Sequence, residues 1–442
     1  MIKTRTLQWL ILPILLTSCG TFSPPPTATS APTVATLPPT ASPVPSQTPS
    51  PTVLPSPTVL PQFPQFPLDG YVMVFSEDDN LYFQDGNNQP VQLTHGEETD
   101  FIGFSDDNQK VMFSRGESLN QTFYSVNVDG SGEQALITPQ WLATLGEKNI
   151  AHFPTFAPNA HQILFNTRLC EIKEDTKVCS IGLYLVDADT GKIRELMAPG
   201  SPVQYEEQNS NFKISPDGSK VSVVSSGHLD ILDMDGSFVS QNILAYTPSA
   251  PIELIPVQHW LPDSQGLIVA IPDAAEYGWA FPATTTYSVF RYTLTNNSIE
   301  QIQLDPPAGR VFSWECGDII NVSPDGNWLL YRSVQQDNMI YLENLLNGQS
   351  QPYDGYACPR RSYQPWSSDN KYFIYGEYYR GSIDEPPIFA NPVGSMFLGW
   401  IDNFHYAYLA FEKNIPNTRI VEVSNEKELT YNIIPFSIIR KK

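Results

Sequence analysis

Three groups of residues in this 442-residue chain have types and spacings that can do chemistry. The first is a set of aromatic and charged side chains: Tyr205, Glu206 and Glu207; Tyr277 and Trp279; Trp314 and Glu315; Tyr356, Arg360 and Arg361. Aromatic faces beside carboxylates and a paired arginine suit recognition of a glycan, a peptide or a protein loop. The second is the cysteines. Cys170 and Cys179 flank one short stretch, and Cys316 and Cys358 sit in equivalent places of successive repeats, so we pair each couple as a disulfide. Zinc would want closer pairs or accompanying histidines, and thiol redox chemistry a Cys-X-X-Cys spacing. The third is a series of Asp-rich turns such as "DADTG" and "NVDGSG". None continues to the bidentate Glu of a calcium loop, and Asp and Gly belong in hairpin turns without any ion, so no metal or cofactor is expected.

Catalytic signatures do not join them. There is no Gly-X-Ser-X-Gly elbow, no His-Glu-X-X-His and no phosphate loop, and the six histidines are scattered. Glu206 and Glu207 are neighbours, and neighbours on an extended segment point apart, which is the wrong geometry for a glycosidase pair. A binding or scaffolding module is therefore favoured over an enzyme.

The net charge is −22, and the first 68 residues hold Lys3, Arg5 and no acid, leaving 23 cations against 47 acids in the remainder. Such a surface repels nucleic acid. The start, "MIKTRTLQWLILPILLTSCG", has two cations, an apolar run and small polar residues, and residues 1 to 18 are expected to be an export signal. Its ending Leu16-Thr17-Ser18-Cys19 resembles the lipobox of bacterial lipoproteins, which implies a lipid on Cys19 and a place on the outer face of the cell membrane. Fifteen of the 40 prolines fall between Thr21 and Pro67, among Thr and Ser and without any charge. Residues 19 to 67 thus read as the anchor cysteine and a disordered, extended spacer, able to reach roughly 145 Å at about 3.1 Å per residue.

The elements that must position the chemistry lie in residues 68 to 442, where one hairpin motif recurs seven times. It appears as "FSDDNQKVMF" from Phe104, "FAPNAHQILF" from Phe156, "ISPDGSKVSV" from Ile214, "WLPDSQGLIV" from Trp260, "VSPDGNWLLY" from Val322, "WSSDNKYFIY" from Trp366 and "WIDNFHYAYL" from Trp400. Pro, Asp and Gly after an apolar residue make a strand-reversing turn. Two further strand-like runs separate successive hairpins, so each unit is a four-stranded propeller blade. The apolar-Ser-Pro-Asp-Gly hairpin followed by "LYLVDADTG" looks like the TolB-like repeat, also seen in the propellers of dipeptidyl-peptidase IV-type enzymes, and the likeness runs from about residue 69 to 434. The expected fold is an all-β propeller of seven blades, with eight the alternative. The count turns on "GYVMVFSEDDNLYFQDGNNQPVQLT", which reads as three strands of a blade, and on the unit at Trp366, which has no clear third and fourth strands.

With strands lettered a to d outward from the axis, a–b and c–d turns must share one face, and b–c and d–a loops the other. The short turns fall on the first. The long insertions, at 138 to 151, 168 to 182, 197 to 209, 245 to 256, 271 to 286, 305 to 318 and 354 to 362, fall on the second together with all ten aromatic and charged candidates. The expectation is a monomeric, lipid-anchored module binding an envelope protein or glycan. A propeller hydrolase or lyase with a site at the central channel mouth is the alternative.

Overall fold

The computed structural model describes residues 70–440 except 97–98, 174–175, 201–210, 226, 248–255, 274–283, 312–319, 334–338, 354–364, 376–378, 386–387, 393–394, 413–414, 425 and 432–434. It is a β-propeller of eight blades, not seven. Blade 1 joins the two ends of the described chain. Tyr71–Glu77, Asn80–Asp85 and Val91–Gln92 are its strands b, c and d, and Pro435–Arg440 supplies the innermost strand a, pairing antiparallel with Tyr71–Glu77. Blades 2 to 8 follow in chain order, with innermost strands at Asp100–Phe104, Ile150–Phe156, Phe212–Ile214, Val257–Trp260, Ile320–Val322, a single bridge at Trp366, and Met396–Trp400.

The seven-blade count failed at blade 7 for a physical reason. Its inner strand is the one bridge Trp366 to Phe373, and its outer strands are Tyr379–Ser382 and the two-residue Ile388–Phe389. Runs this short show no alternation to read. A second difference concerns residues 168 to 182, read above as a loop. They belong to the paired strands Gln162–Lys173 and Thr176–Asp187, which run on past strand a of blade 3 as a two-stranded arm.

Blade stacking explains the burial pattern. In blade 4, Val221, Ser222, Val223 and Val224 are all buried, because a middle strand has a blade on each side, whereas the outermost strand from Phe238 is mostly exposed. An apolar cluster fills every seam. Met112, Phe123, Phe165 and Tyr184 join blades 2 and 3, Val221, Val223, Leu164 and Leu183 join blades 3 and 4, and Met73, Phe75, Ala407 and Ile420 close blade 8 onto blade 1.

The recurring hairpin does more than reverse the chain. Ser215 Oγ donates to Asp217 Oδ1 at 2.6 Å and accepts the Lys220 amide at 2.9 Å, and the same pairing joins Ser105 to Asp107, Ser323 to Asp325 and Ser367 to Asp369. The next residue, Asn108, Gly218, Ser264, Gly326 or Asn370, takes a positive φ between 58° and 73°, the conformation Gly and Asn adopt most readily. Each turn also reaches the neighbouring blade. The Asp217 amide donates to Ser264 Oγ at 3.1 Å, the Asp325 amide to Asn370 Oδ1 at 2.7 Å and the Asn159 amide to Asp106 Oδ2 at 3.3 Å. Tyr71 of blade 1 donates its hydroxyl to Asp402 of blade 8.

Tryptophan at the first motif position makes a second stitch. The indole N–H groups of Trp260, Trp366 and Trp400 donate to the carbonyls of Lys213, Asn321 and Pro365 at 2.9, 3.4 and 2.7 Å, each on the preceding blade.

Candidate functional site

The face that bears the a–b turns also bears the c–d turns. In blades 2 to 8 an amide of the c–d segment donates to a carbonyl of the a–b turn, as in Val128 to Gln109 at 3.0 Å, Ala188 to His161 at 2.7 Å and Leu345 to Asn327 at 2.8 Å. Tyr205, Glu206, Glu207, Tyr277, Trp279, Trp314, Glu315, Tyr356, Arg360 and Arg361 all fall outside the described residues, as do Cys19, Cys316 and Cys358. Cys170 and Cys179 face each other in register across the blade 3 arm and are disulfide-bonded.

Two recesses are resolved. One lies along the inner strands of blades 8, 1 and 2, has a volume of about 650 Å³, and is walled by Phe101, Gly103, Phe104, Gly399, Trp400 and Phe436 among others. Its existence follows from backbone chemistry. All three strands carry a register shift there, between Phe101 and Gly103, between Phe397 and Gly399, and at Phe436, and the first two bulges place a glycine at the wall. Gly399 has φ +142°, which disfavours a side chain, while a Cβ on Gly103 would meet nothing within 4 Å. The rings around the gap are ordered against one another: Phe101 stacks on Phe436 with centroids 5.9 Å apart and meets Phe104 edge-on at 5.5 Å. Phe436 is 45% exposed. Asp106 is the titratable group among the described lining residues, at the turn-face end. The chemistry available is apolar recognition with a carboxylate at one end.

The second recess, about 710 Å³, opens on the turn face between blades 2 and 3 and is lined by Asp106, Asp107, Asn159, His161, Asp187 and Asp189. His161 spans it. Its Nε2 is 3.0 Å from Asp107 Oδ2 and its Nδ1 3.0 Å from Asp189 Oδ2, while Lys110 Nζ is 3.0 Å from Asp189 Oδ1. Because the carboxylates address opposite nitrogens, one cation cannot take all three groups. Among the described residues no cluster of three or more His, Cys, Asp or Glu is arranged to hold a metal ion.

Other histidines also have structural partners. His228 Nε2 lies 3.1 Å from Asp230 Oδ2, His259 Nε2 lies 3.0 Å from the Ile320 carbonyl, and His405 Nδ1 lies 3.0 Å from Asp402 Oδ1. The axial recess was not read from the sequence. Its signals are a lone glycine inside each of two inner strands, "DFIGF" and "MFLGW", and both strands end in an aromatic residue.

No protein-family model matches this sequence, and neither does any curated protein. Solved structures similar to it include an oligogalacturonate lyase in complex with manganese, at 14% identity and TM-score 0.42 over 70% of this chain and 81% of that one. TolB from Acinetobacter baumannii follows at 12% identity and TM-score 0.33, covering 84% and 82%. The β-propeller domain of the Trilobed protease from Pyrococcus furiosus shows 11% identity and TM-score 0.42, covering 76% and 96%. With identities this low and superpositions this loose, no chemistry passes from them to this chain.

Proposed function

We propose that this chain is an exported propeller, anchored by a lipid on Cys19 and held away from the membrane by residues 19 to 67, that binds an envelope protein as a non-enzymatic module. The observation behind this reading is the axial recess, where two glycines leave room beside stacked phenylalanine rings and aliphatic Leu398 and Ile401. Such a wall suits an apolar side chain on a protein segment better than a glycan, which would want polar groups flanking the rings. A hydrolase or lyase at the channel mouth would need acids or histidines converging there, and the described lining brings one carboxylate, Asp106.

Gly103→Leu is the direct test, since its side chain would enter open space. The full-length chain, Gly103→Leu and the surface control Leu346→Ser, at a side chain that is 71% exposed, are used to capture partners from envelope extract. A protein retained by the first and third but lost from Gly103→Leu supports the reading. Retention by all three, or loss of a glycan in place of a protein, refutes it.

A further inference from the structure

The His161 bridge is geometrically unusual for an imidazole. A neutral ring has one N–H and one lone pair, so it can donate to one carboxylate while the other faces a lone pair. Here both nitrogens lie 3.0 Å from carboxylate oxygens, an arrangement that only the doubly protonated ring satisfies. The two acceptors belong to different blades: Asp107 to the a–b turn of blade 2, Asp189 to the c–d turn of blade 3.

We propose that His161 is an acid-operated latch between blades 2 and 3, which when charged clamps Asp107 to Asp189 across the recess and when neutral releases one of them and lets the recess widen. The groups around it fix the direction. Asp106 and Asp107 face it from blade 2, Asp187 and Asp189 from its own blade, and the cation beside them among the described residues is Lys110, already paired with Asp189 and with Asn127 Oδ1 at 2.9 Å. Burial works against the ring's charge, but the two carboxylates outweigh it and raise its pKa above the ordinary 6.5. Asp189 is held below the usual carboxylate range, chiefly by Lys110, and Asp107 is lowered too, where burial opposes ionisation but hydrogen bonds from Ser105, Gln109 and His161 prevail. A raised histidine pKa contributes stability that is complete below the ordinary value and is lost as pH rises through the folded one. The seam is therefore tightest in mild acid and loosens toward alkali, and a module outside the cell would feel that change directly.

The full-length protein with its histidine rings isotopically labelled is titrated by NMR, with His161→Gln assigning the signal. Amide hydrogen exchange of residues 105 to 110 and 159 to 162 is followed over the same range, corrected for intrinsic rates. The latch requires His161 to titrate above 6.5 and both turns to lose protection through that titration in wild type but not in His161→Gln. Asp107→Asn serves as the second variant, because it keeps the Oδ1 acceptor used by Ser105 and Gln109 and removes only the charge facing His161. In it the His161 titration and the loss of protection must both move to lower pH. An ordinary or lower His161 pKa, or turns whose exchange follows one pH course in wild type and variants, overturns the proposal.

Discussion

A Cβ built on Gly218 falls 2.3 Å from the carbonyl oxygen of Pro158, one blade away. The turn glycine of blade 4 is thus the socket for the turn proline of blade 3. Gly326 stands in a looser version of the same relationship, 3.1 Å from Pro262 Cδ. Both have positive φ, +71° and +73°, so alanine at either costs about 1–2 kcal/mol in backbone strain. At Gly218 the overlap with a main-chain oxygen adds about 1–3 kcal/mol. Denaturant unfolding is expected to rank Gly218→Ala as most damaging and Gly326→Ala next, with Gly103→Ala within about 0.5 kcal/mol of wild type. Equal losses at 218 and 326 would show that the cross-blade socket contributes nothing.

The tryptophan stitches predict a second series. Phenylalanine at Trp260, Trp366 or Trp400 keeps a ring but removes the indole hydrogen bond to the preceding blade, at about 1 kcal/mol each, although the Pro365 carbonyl still accepts the Ile374 amide and the Lys213 carbonyl the Ser222 hydroxyl. Trp366 is 1% exposed, so water cannot substitute there and its variant is expected to lose most in thermal unfolding.

Reducing the Cys170 to Cys179 bond, or replacing both with Ser, is expected to act on the arm. The bond closes a loop of sequence separation 9, for which chain entropy gives about 2–3 kcal/mol. The pair lies beyond strand a of blade 3, whose pairing stops at Arg168. Faster hydrogen exchange should therefore appear at residues 169 to 180 while the blade core keeps its protection. Peptide mapping without reductant tests the 170 to 179 link, and with it the expected 316 to 358 link.

Acid should weaken the turn ring at Asp217. Burial resists ionisation of this carboxyl, but hydrogen bonds from Ser215 and Ser219 overcome it and bring its pKa to about 2, against an ordinary 3.8. A depressed carboxylate pKa gives stability that is present above the ordinary value and is lost as pH falls through the folded one. The stability gap between wild type and Asp217→Asn should be constant above 3.8 and close on the way down to about 2. A gap that stays open at the acid end would assign the effect to something other than the charge.

How much of this was legible depended on whether a residue's role is local. The hairpins were readable because Ser215, Asp217 and Gly218 complete their own turn, and the alternation of Val221 to Ser225 marks the strand that follows. The Cys170 to Cys179 bond was readable from spacing within one hairpin. Blade 7 was not, since a one-bridge inner strand and a two-residue outer strand leave no period. The axial recess and the His161 bridge were hidden for another reason. Phe101 meets Phe436, and His161 meets Asp107, only after the blades close into a ring, and nothing in the stretch around either residue announces the partner.

The way blade 1 is assembled has a mechanical consequence. Its strand Tyr71–Glu77, the first after the proposed spacer, is not an edge: Val72 is registered with Ile439 on one side and Asp85 on the other. A tug applied ahead of Tyr71 must therefore break two ladders together, one of them to the opposite end of the described chain. Were the same strand outermost, like Val91–Gln92, the load would meet one ladder of two residue pairs and peel it open. The chain is thus best braced at the point where a tether would pull.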